Sequence, residues 1–296
     1  MKVRHFVIVL LLVSNITFSS GFLDVFVAAA SVVYTYFERD DLLPFDSKRL
    51  EEDLRENFFG QHIASNVIRR AVSSFMTDSK PNKPLALSFH GTSGTGKNHA
   101  AKIIARNVYE KGEDSKHVHT FISEHHFPHK QKLDLYSMHP QLIDAIKPFL
   151  DYNARVDGVS FRKAIFVFLS NAGGDVITGV TLDFWREGNI RENLWMDSKE
   201  LEIKISQNIF NDKNSGFLHS NIIDEHLVDH YIPFLPLELK HVRQCVMVEM
   251  VHLNVTQDSD LADEVARDMP YFPKEERIYA VKGCKSVRQK LAQHID

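Results

Sequence analysis

The chain has no excess of positive charge: 35 Lys and Arg stand against 39 Asp and Glu, a formal net charge of -4. Proteins that coat nucleic acid draw their affinity from counterions displaced by many cationic side chains, so that class is excluded. Cysteine is scarce. Two residues are too few for a scaffold built on disulfides. Only 13 Gly and 10 Pro occur in 296 residues, which excludes collagen-like and low-complexity chains. No run of about eighteen purely apolar residues exists, so a multi-pass membrane protein is excluded too. What is present, 44% hydrophobic and 25% charged residues, is ordinary globular composition. The length suffices for one large domain or two modest ones.

The opening, MKVRHFVIVLLLVSNITFSSG, places Lys2 and Arg4 before the apolar run Phe6 to Val13, with Ser19 and Ser20 after it. That order fits a secretory signal over residues 1–20. The run is too short for a hydrocarbon core about 30 Å thick; the other reading is a buried N-terminal helix or strand. Residues 21–40 hold a second apolar patch, FLDVFVAAASVVYTYF, with Asp24 as its one charge. As a helix its sixteen residues reach roughly 24 Å, marginal for spanning. A segment lying on a membrane fits better, with an uncleaved signal-anchor as the alternative.

From Ser47 the pattern turns helical. Leu50, Leu54, Phe58, Ile63, Val67, Ile68 and Val72 recur every few residues, with Gly60-Gln61 breaking the run in two. Leu85 to His90 (LALSFH) reads as a buried strand, Asn98 to Lys111 as a helix and His117 to Ile122 as a strand. Pro140 to Tyr152 reads as a short helix. Ala164 to Leu169 (AIFVFL) has no polar residue, as expected of a strand buried on both faces of a parallel sheet. Strands alternating with helices indicate a doubly wound α/β domain over residues 41–234. Three helical stretches, Leu237–Glu249, Leu261–Met269 and Cys284–Ile295, make a small helical domain over 235–296.

The sharpest signal is Gly91-Thr92-Ser93-Gly94-Thr95-Gly96-Lys97-Asn98, which fits G-x-x-x-x-G-K between a strand and a helix. Such a loop turns several backbone N–H groups toward a polyphosphate, and the helix N-terminus adds partial positive charge. Lys97 bridges phosphate oxygens in this reading. Position 98 departs from the usual Ser or Thr. Asn98 offers an amide oxygen to Mg²⁺, a hard-cation ligand on a longer arm.

With those residues in hand the chain resembles the torsins, AAA+ ATPases of the endoplasmic reticulum and nuclear-envelope lumen related to Clp-type unfoldases. The matching blocks include ENFFGQHIA (56–64), the phosphate loop with Asn98, HHFPH (125–129), LIDAIKPFLDY (142–152) and FLSNAGG (168–174). NSGFLHS (214–220), PFLPLE (233–238), FPKEER (272–277) and KGCK (282–285) continue the match. The resemblance implies a P-loop AAA+ fold with a C-terminal helical lid, and ATP with Mg²⁺ as cofactors. It makes Asn171 the sensor 1 amide near the γ-phosphate and Lys285 the sensor 2 lysine from the lid. A polar residue at the C-terminal end of a buried strand is also where ligands meet α/β sheets. The resemblance further implies that Cys245 and Cys284 pair near the nucleotide. The residues alone leave two buried thiols as the other reading. It also implies an oligomer completed by a membrane-anchored luminal activator that donates an arginine finger. Asn254-Val255-Thr256 is a glycosylation acceptor for a luminal chain.

One expected part is missing. AAA+ hydrolysis uses a Walker B strand ending in Asp-Glu, and none lies between Lys97 and Asn171. Between the His117 strand and the Pro140 helix there is no room for a crossover helix and another strand, about 25 residues. The sequence passes from Leu133–Ser137 directly to Met138, as an internal deletion would leave it. One central strand is therefore expected to be absent, its neighbours pairing with each other or standing open. Clustered histidines (His117, His119, His125, His126, His129, His139) show no zinc-site spacing. Three functions are compatible: a torsin-like remodelling ATPase, a nucleotide-binding form that does not hydrolyse and acts as partner or competitor, and a small-molecule kinase. The helical lid argues against the last.

Overall fold

The computed structural model describes residues 7–13, 41–122, 146–211 and 221–295. Blocks 125–129 and 214–220, the Ser137-Met138 junction and the patch at 21–40 lie outside them. Five parallel strands form the main sheet: β1 (Val7–Val13), β2 (Leu85–His90), β3 (Val118–Ile122), β4 (Ala164–Ser170) and β5 (His230–Pro233). Their spatial order is β3-β1-β4-β2-β5. Strands β2 and β4 are buried at every position, as their largely apolar runs dictate, with Ser88, His90 and Ser170 as the buried polar exceptions.

The pleat sorts β4 between two cores. Ile165, Val167 and Leu169 join one with Leu87, Phe89 and Phe234. Helices α1 (Ser47–Asn57), α2 (His62–Thr77) and α3 (Lys97–Val108) close that side with Leu50, Leu54, Ile68, Val72 and Ile104. Phe166 and Phe168 join the other core with Ile177 of α4 (Gly174–Arg186) and Ile205 of α5 (Ser198–Asn211). Ile222 of the short α6 (Asn221–Asp224) completes it. Residues 146–150 are helical, in agreement with the helix read there.

The lid consists of α7 (Leu239–His252), α8 (Ser259–Arg267), α9 (Val287–Leu291) and the two-residue strands β6 (Tyr271–Phe272) and β7 (Tyr279–Ala280). It has its own core of Val242, Val246, Met250, Val265, Ala266 and Leu291. Asp258 caps α8 by accepting from the N–H groups of Asp260 and Leu261. Of the three lid helices only the last is shorter than the sequence reading: α9 takes Val287–Leu291 out of the Cys284–Ile295 stretch, whereas α7 and α8 are about as long as read, and the hairpin fills the interval before it. Helices α4 and α5 and strand β5 have no counterpart in the sequence reading.

The slot of the missing central strand is filled by the N-terminal run, in line with the other reading of that run as a buried strand. The neighbours β3 and β4 neither pair with each other nor stand open: Val7–Val13 lies between them. Its register runs Ile8↔Val118 to Leu12↔Ile122 on one side and Val7↔Ala164 to Val13↔Ser170 on the other. These are the residues that the sequence assigns to a signal. The physical reason is complementarity: a doubly paired inner slot takes an unbroken apolar strand, and VIVLLLV is one.

Candidate nucleotide-binding site

Strand β2 delivers the loop 91–96 to the N-terminus of α3. Gly96 caps that helix at φ 101°, a left-handed conformation, and a Cβ there would come within 2.9 Å of the Phe58 ring. Gly94, at φ 81°, is tighter still: a Cβ would come 1.9 Å from the carbonyl oxygen of Lys282 in the lid. The lid turn thus lies directly on the loop, and the Cys284 N–H donates to the Gly94 carbonyl at 3.1 Å. Thr95 closes the loop through its hydroxyl, which donates to the Thr92 carbonyl at 2.8 Å. Thr92 and Ser93 are half-buried and Asn98 is exposed on the first turn of α3.

Lys97 is buried, and its ammonium donates to the carbonyls of Gly91 (2.6 Å) and Thr92 (2.9 Å) and to Asn171 Oδ1 (3.0 Å). The fold thereby joins two residues that the sequence singled out 74 positions apart. Among the described residues all three partners are neutral. Burial pushes Lys97 from an ordinary lysine value down to about 7, because its three neutral acceptors bring no countercharge to offset the lost hydration. The Asn171 loop packs close by: a Cβ on Gly174 would meet the Thr92 nitrogen at 2.9 Å.

His90 ends β2 in full burial. Its Nδ1 faces the Ala172 carbonyl at 3.0 Å and its Nε2 the Ser88 hydroxyl at 2.6 Å, which suits a neutral ring with the proton on Nδ1. Burial holds its pKa at about 3. The ring thus ties the end of the phosphate-loop strand to the loop that carries Asn171.

Two further residues hold the site together. Gln61 Nε2 donates to the carbonyls of Thr95 (2.9 Å) and Leu235 (2.8 Å), and its Oε1 accepts from the Leu235 N–H. Arg191 is buried and donates to the Pro236 carbonyl at 2.6 Å and, through two nitrogens, to the Gly60 carbonyl. Loop, hinge and lid therefore meet at Gly60-Gln61. The sequence reading took that pair as a helix break and as part of the block ENFFGQHIA, without a role for either residue, and nothing in it marked Arg191. A histidine ending LALSFH, with Ser88 two residues before it, was a signal for His90.

On the lid side Cys245 and Cys284 form a disulfide with Cα atoms 6.2 Å apart, closing 39 residues of chain. That settles the choice between bridge and thiols, and is worth about 4 kcal/mol in the chain-entropy model. Lys285 is exposed, its Cβ 3.2 Å from a Cβ built on Gly94. Asn254 is exposed on the turn after α7, with φ 56°. A cavity of about 310 Å³ opens beside the loop, lined by Phe58, Phe59, Leu237, Val248 and the disulfide. A larger one of about 760 Å³ lies on the far side of Phe58–Gln61, away from Lys97. Gly94, Thr95 and Gly96 of the phosphate loop form part of the wall of the smaller one.

Known proteins share these features. The family profile described as Torsin matches residues 32–155, and that described as Torsin-1A, C-terminal domain, matches residues 237–294. Torsin-3A of Mus musculus is 38% identical over 269 residues, covering 82% of this chain and 69% of that protein. Hsp104 in a closed state with ATPγS and FITC casein superposes with a TM-score of 0.53 at 16% identity, over 84% of this chain and 45% of its own. The S. cerevisiae Hsp104–ADP complex gives 0.53 at 15% identity, over 83% and 46%. The chain spans under half the length of those two structures, and at such identity the likeness is one of fold. The phosphate loop, the lid laid on it and the torsin relative together show that the chain belongs to the torsin family and has the AAA+ fold.

Proposed function

We propose that the chain binds ATP with Mg²⁺ on the loop Gly91–Asn98 as a torsin-like AAA+ protein, and that it hydrolyses little or none of it. The observation that carries the binding is Lys97, a buried ammonium held by three neutral acceptors, Asn171 Oδ1 at 3.0 Å among them. Glycines at 94 and 96 leave the cradle free of side chains. Asn98 would give an amide oxygen to Mg²⁺, which when bound offsets charge on the β- and γ-phosphate oxygens. Lys285, at the lid turn beside Gly94, acts on the same phosphates in this reading.

The hydrolysis half lacks its carboxylates. The strand paired with β4 on this side is Val7–Val13, which the sequence continues as Ser14-Asn15-Ile16-Thr17, with no acid. A base to activate water and an acid to order the Mg²⁺ shell are thus absent from that position. The comparison supports a deletion: 82% of 296 residues is fewer than the 269 positions aligned, so the relative holds positions that this chain lacks.

By family, the location is the lumen of the endoplasmic reticulum and nuclear envelope. In this reading residues 21–40 make peripheral membrane contact and Asn254 is the glycan acceptor, while Val7–Val13 keeps its place in the sheet. A hydrolysing member of the family would act in chaperone-like remodelling of proteins or membranes, in an oligomer completed by a membrane-anchored activator that supplies the arginine. The missing acids favour a second reading, a non-hydrolysing form that holds nucleotide and competes for that activator. Calorimetry with ATP and Mg²⁺ tests the binding: heat is expected from the chain and none from Lys97→Ala. Phosphate release at family-like rates with activator overturns the hydrolysis claim. Sequencing the transcript across Ser137-Met138 separates the two readings.

A further inference from the structure

The chain crosses from the sheet to the lid once, after β5, and its backbone there is held residue by residue. The Phe234 N–H donates to the carbonyl of His90, which ends the phosphate-loop strand, at 2.7 Å. Leu235 donates its N–H to Gln61 Oε1, and its carbonyl accepts from Gln61 Nε2, both at 2.8 Å. The Pro236 carbonyl accepts from Arg191 Nη1 at 2.6 Å. At the next residue the partners change sides. The Leu237 carbonyl accepts from the Ala280 N–H of β7 at 2.8 Å, and Glu238 caps α7 in a box with His241. Residues 234–236 are thus held by the body and 237–238 by the lid. A lid moving as one piece turns about ψ of Pro236 and φ of Leu237, since the proline ring fixes the torsion before them.

Arg191 stands at that boundary. Its Nε and Nη2 both donate to the Gly60 carbonyl, while Nη1 holds Pro236 and lies 3.6 Å from Glu238 Oε1 on the lid side. Gly60 precedes the Gln61 that donates to Thr95 of the phosphate loop at 2.9 Å. Burying a guanidinium costs hydration, but its planar fork fixes two carbonyls at a set spacing, which the single nitrogen of a lysine does not. We propose that Arg191 is a positioning residue: it pins the Pro236–Leu237 hinge so that the lid turn 282–284 comes down on the phosphate loop. The contact it secures is the Cys284 N–H on the Gly94 carbonyl, flanked by the Tyr279 hydroxyl on the Thr181 carbonyl and Arg186 on Glu276. Without the fork the hinge gains freedom and the turn lifts off Gly94. On the nucleotide reading above, on which this second consequence rests, Lys285 then leaves the phosphates with the turn.

Native-state amide exchange on the full chain tests the hinge, and calorimetry with ATP and Mg²⁺ tests its effect. In the wild type the Cys284 N–H is expected to be about tenfold less protected than the amides of β2 and α7, because lifting the lid breaks its bond to Gly94 while body and lid stay folded. Arg191→Met is expected to lower Cys284 protection about tenfold beyond any change at β2 and α7, and Arg191→Lys by less. ATP binding is expected to weaken about tenfold in Arg191→Met and to recover in part in Arg191→Lys. A variant that lowers protection at all three places by one factor gives Arg191 a merely structural role and overturns the proposal. So does wild-type Cys284 protection equal to that of β2, a comparison that needs no variant to fold. Absence of ATP binding by the wild type overturns the nucleotide reading, and the exchange ratios still decide the hinge.

Discussion

Lys97 connects burial to function through a proton. Its native pKa of about 7 lies well below that of an unfolded lysine. Below pH 7 both states hold the proton and the full cost of burying an ammonium is present. Between 7 and the unfolded value the native state releases a proton that the unfolded state keeps, so stability rises with pH across that window. Phosphate in the loop restores the charged form, so nucleotide binding at pH 8 takes up a proton. Calorimetry in two buffers of different ionisation enthalpy is expected to show uptake of about one proton at pH 8, falling toward zero at pH 6. Identical heats in both buffers at pH 8 contradict the shift. Gly94 offers a steric test of the same loop. Gly94→Ala puts a methyl into the Lys282 carbonyl at a left-handed φ, so loop and lid turn must part. The cost is about 2–3 kcal/mol, seen as a lower midpoint in urea, with weaker nucleotide binding beside it. An unchanged midpoint would mean that the lid does not rest on the loop.

At the scale of elements, the N-terminal strand is the segment with two incompatible fates. Residues 1–20 cannot be removed as a signal and also keep β3 and β4 paired to Val7–Val13. Without that strand two ladders are lost and two inner edges are bared, a template for aggregation. A chain beginning at residue 21 is therefore expected to melt roughly 10 °C below the full chain and to aggregate on heating. Equal melting would show that the slot closes by another route. The sequence displayed the chemistry of this segment, seven apolar residues, but not its place, since an address and an inner strand share that composition. Elsewhere legibility followed the length and purity of each pattern. LALSFH, AIFVFL and the two helices either side of Gly60-Gln61 were readable because each buries a regular stripe or run. HYIP, four residues and half exposed, carried no such signal, and α4 and α5 mix Thr, Asp and Lys into their faces. The phosphate loop was legible because its parts are contiguous. Arg191, which reaches Gly60 across 131 positions, was not, because a long-range bond to backbone leaves no local trace.

For the whole molecule, one slot in the sheet governs both stability and chemistry. The position between β3 and β4 lies beside the strand that leads into Asn171, so in the proposed reading the residues that leave this slot would face the γ-phosphate. At present the slot is held by a strand followed by Ser and Asn, and the chain would bind without hydrolysing. Inserting between Ser137 and Met138 a crossover helix and an apolar strand ending in Asp-Glu, about 25 residues, would offer a second occupant. The insert is joined to the neighbouring elements by short connections, whereas Val7–Val13 must be brought back across the whole N-terminal region, so loop-closure entropy favours the insert. Two consequences are expected together. Amide exchange of residues 7–13, slow in the chain as it stands, becomes fast as the segment is displaced. Phosphate release with an activator rises from background to a measurable rate. Displacement without hydrolysis would assign the deficiency to Asn98 or to the lid rather than to the missing acids. Hydrolysis without displacement would show that the N-terminal segment never held the slot in solution.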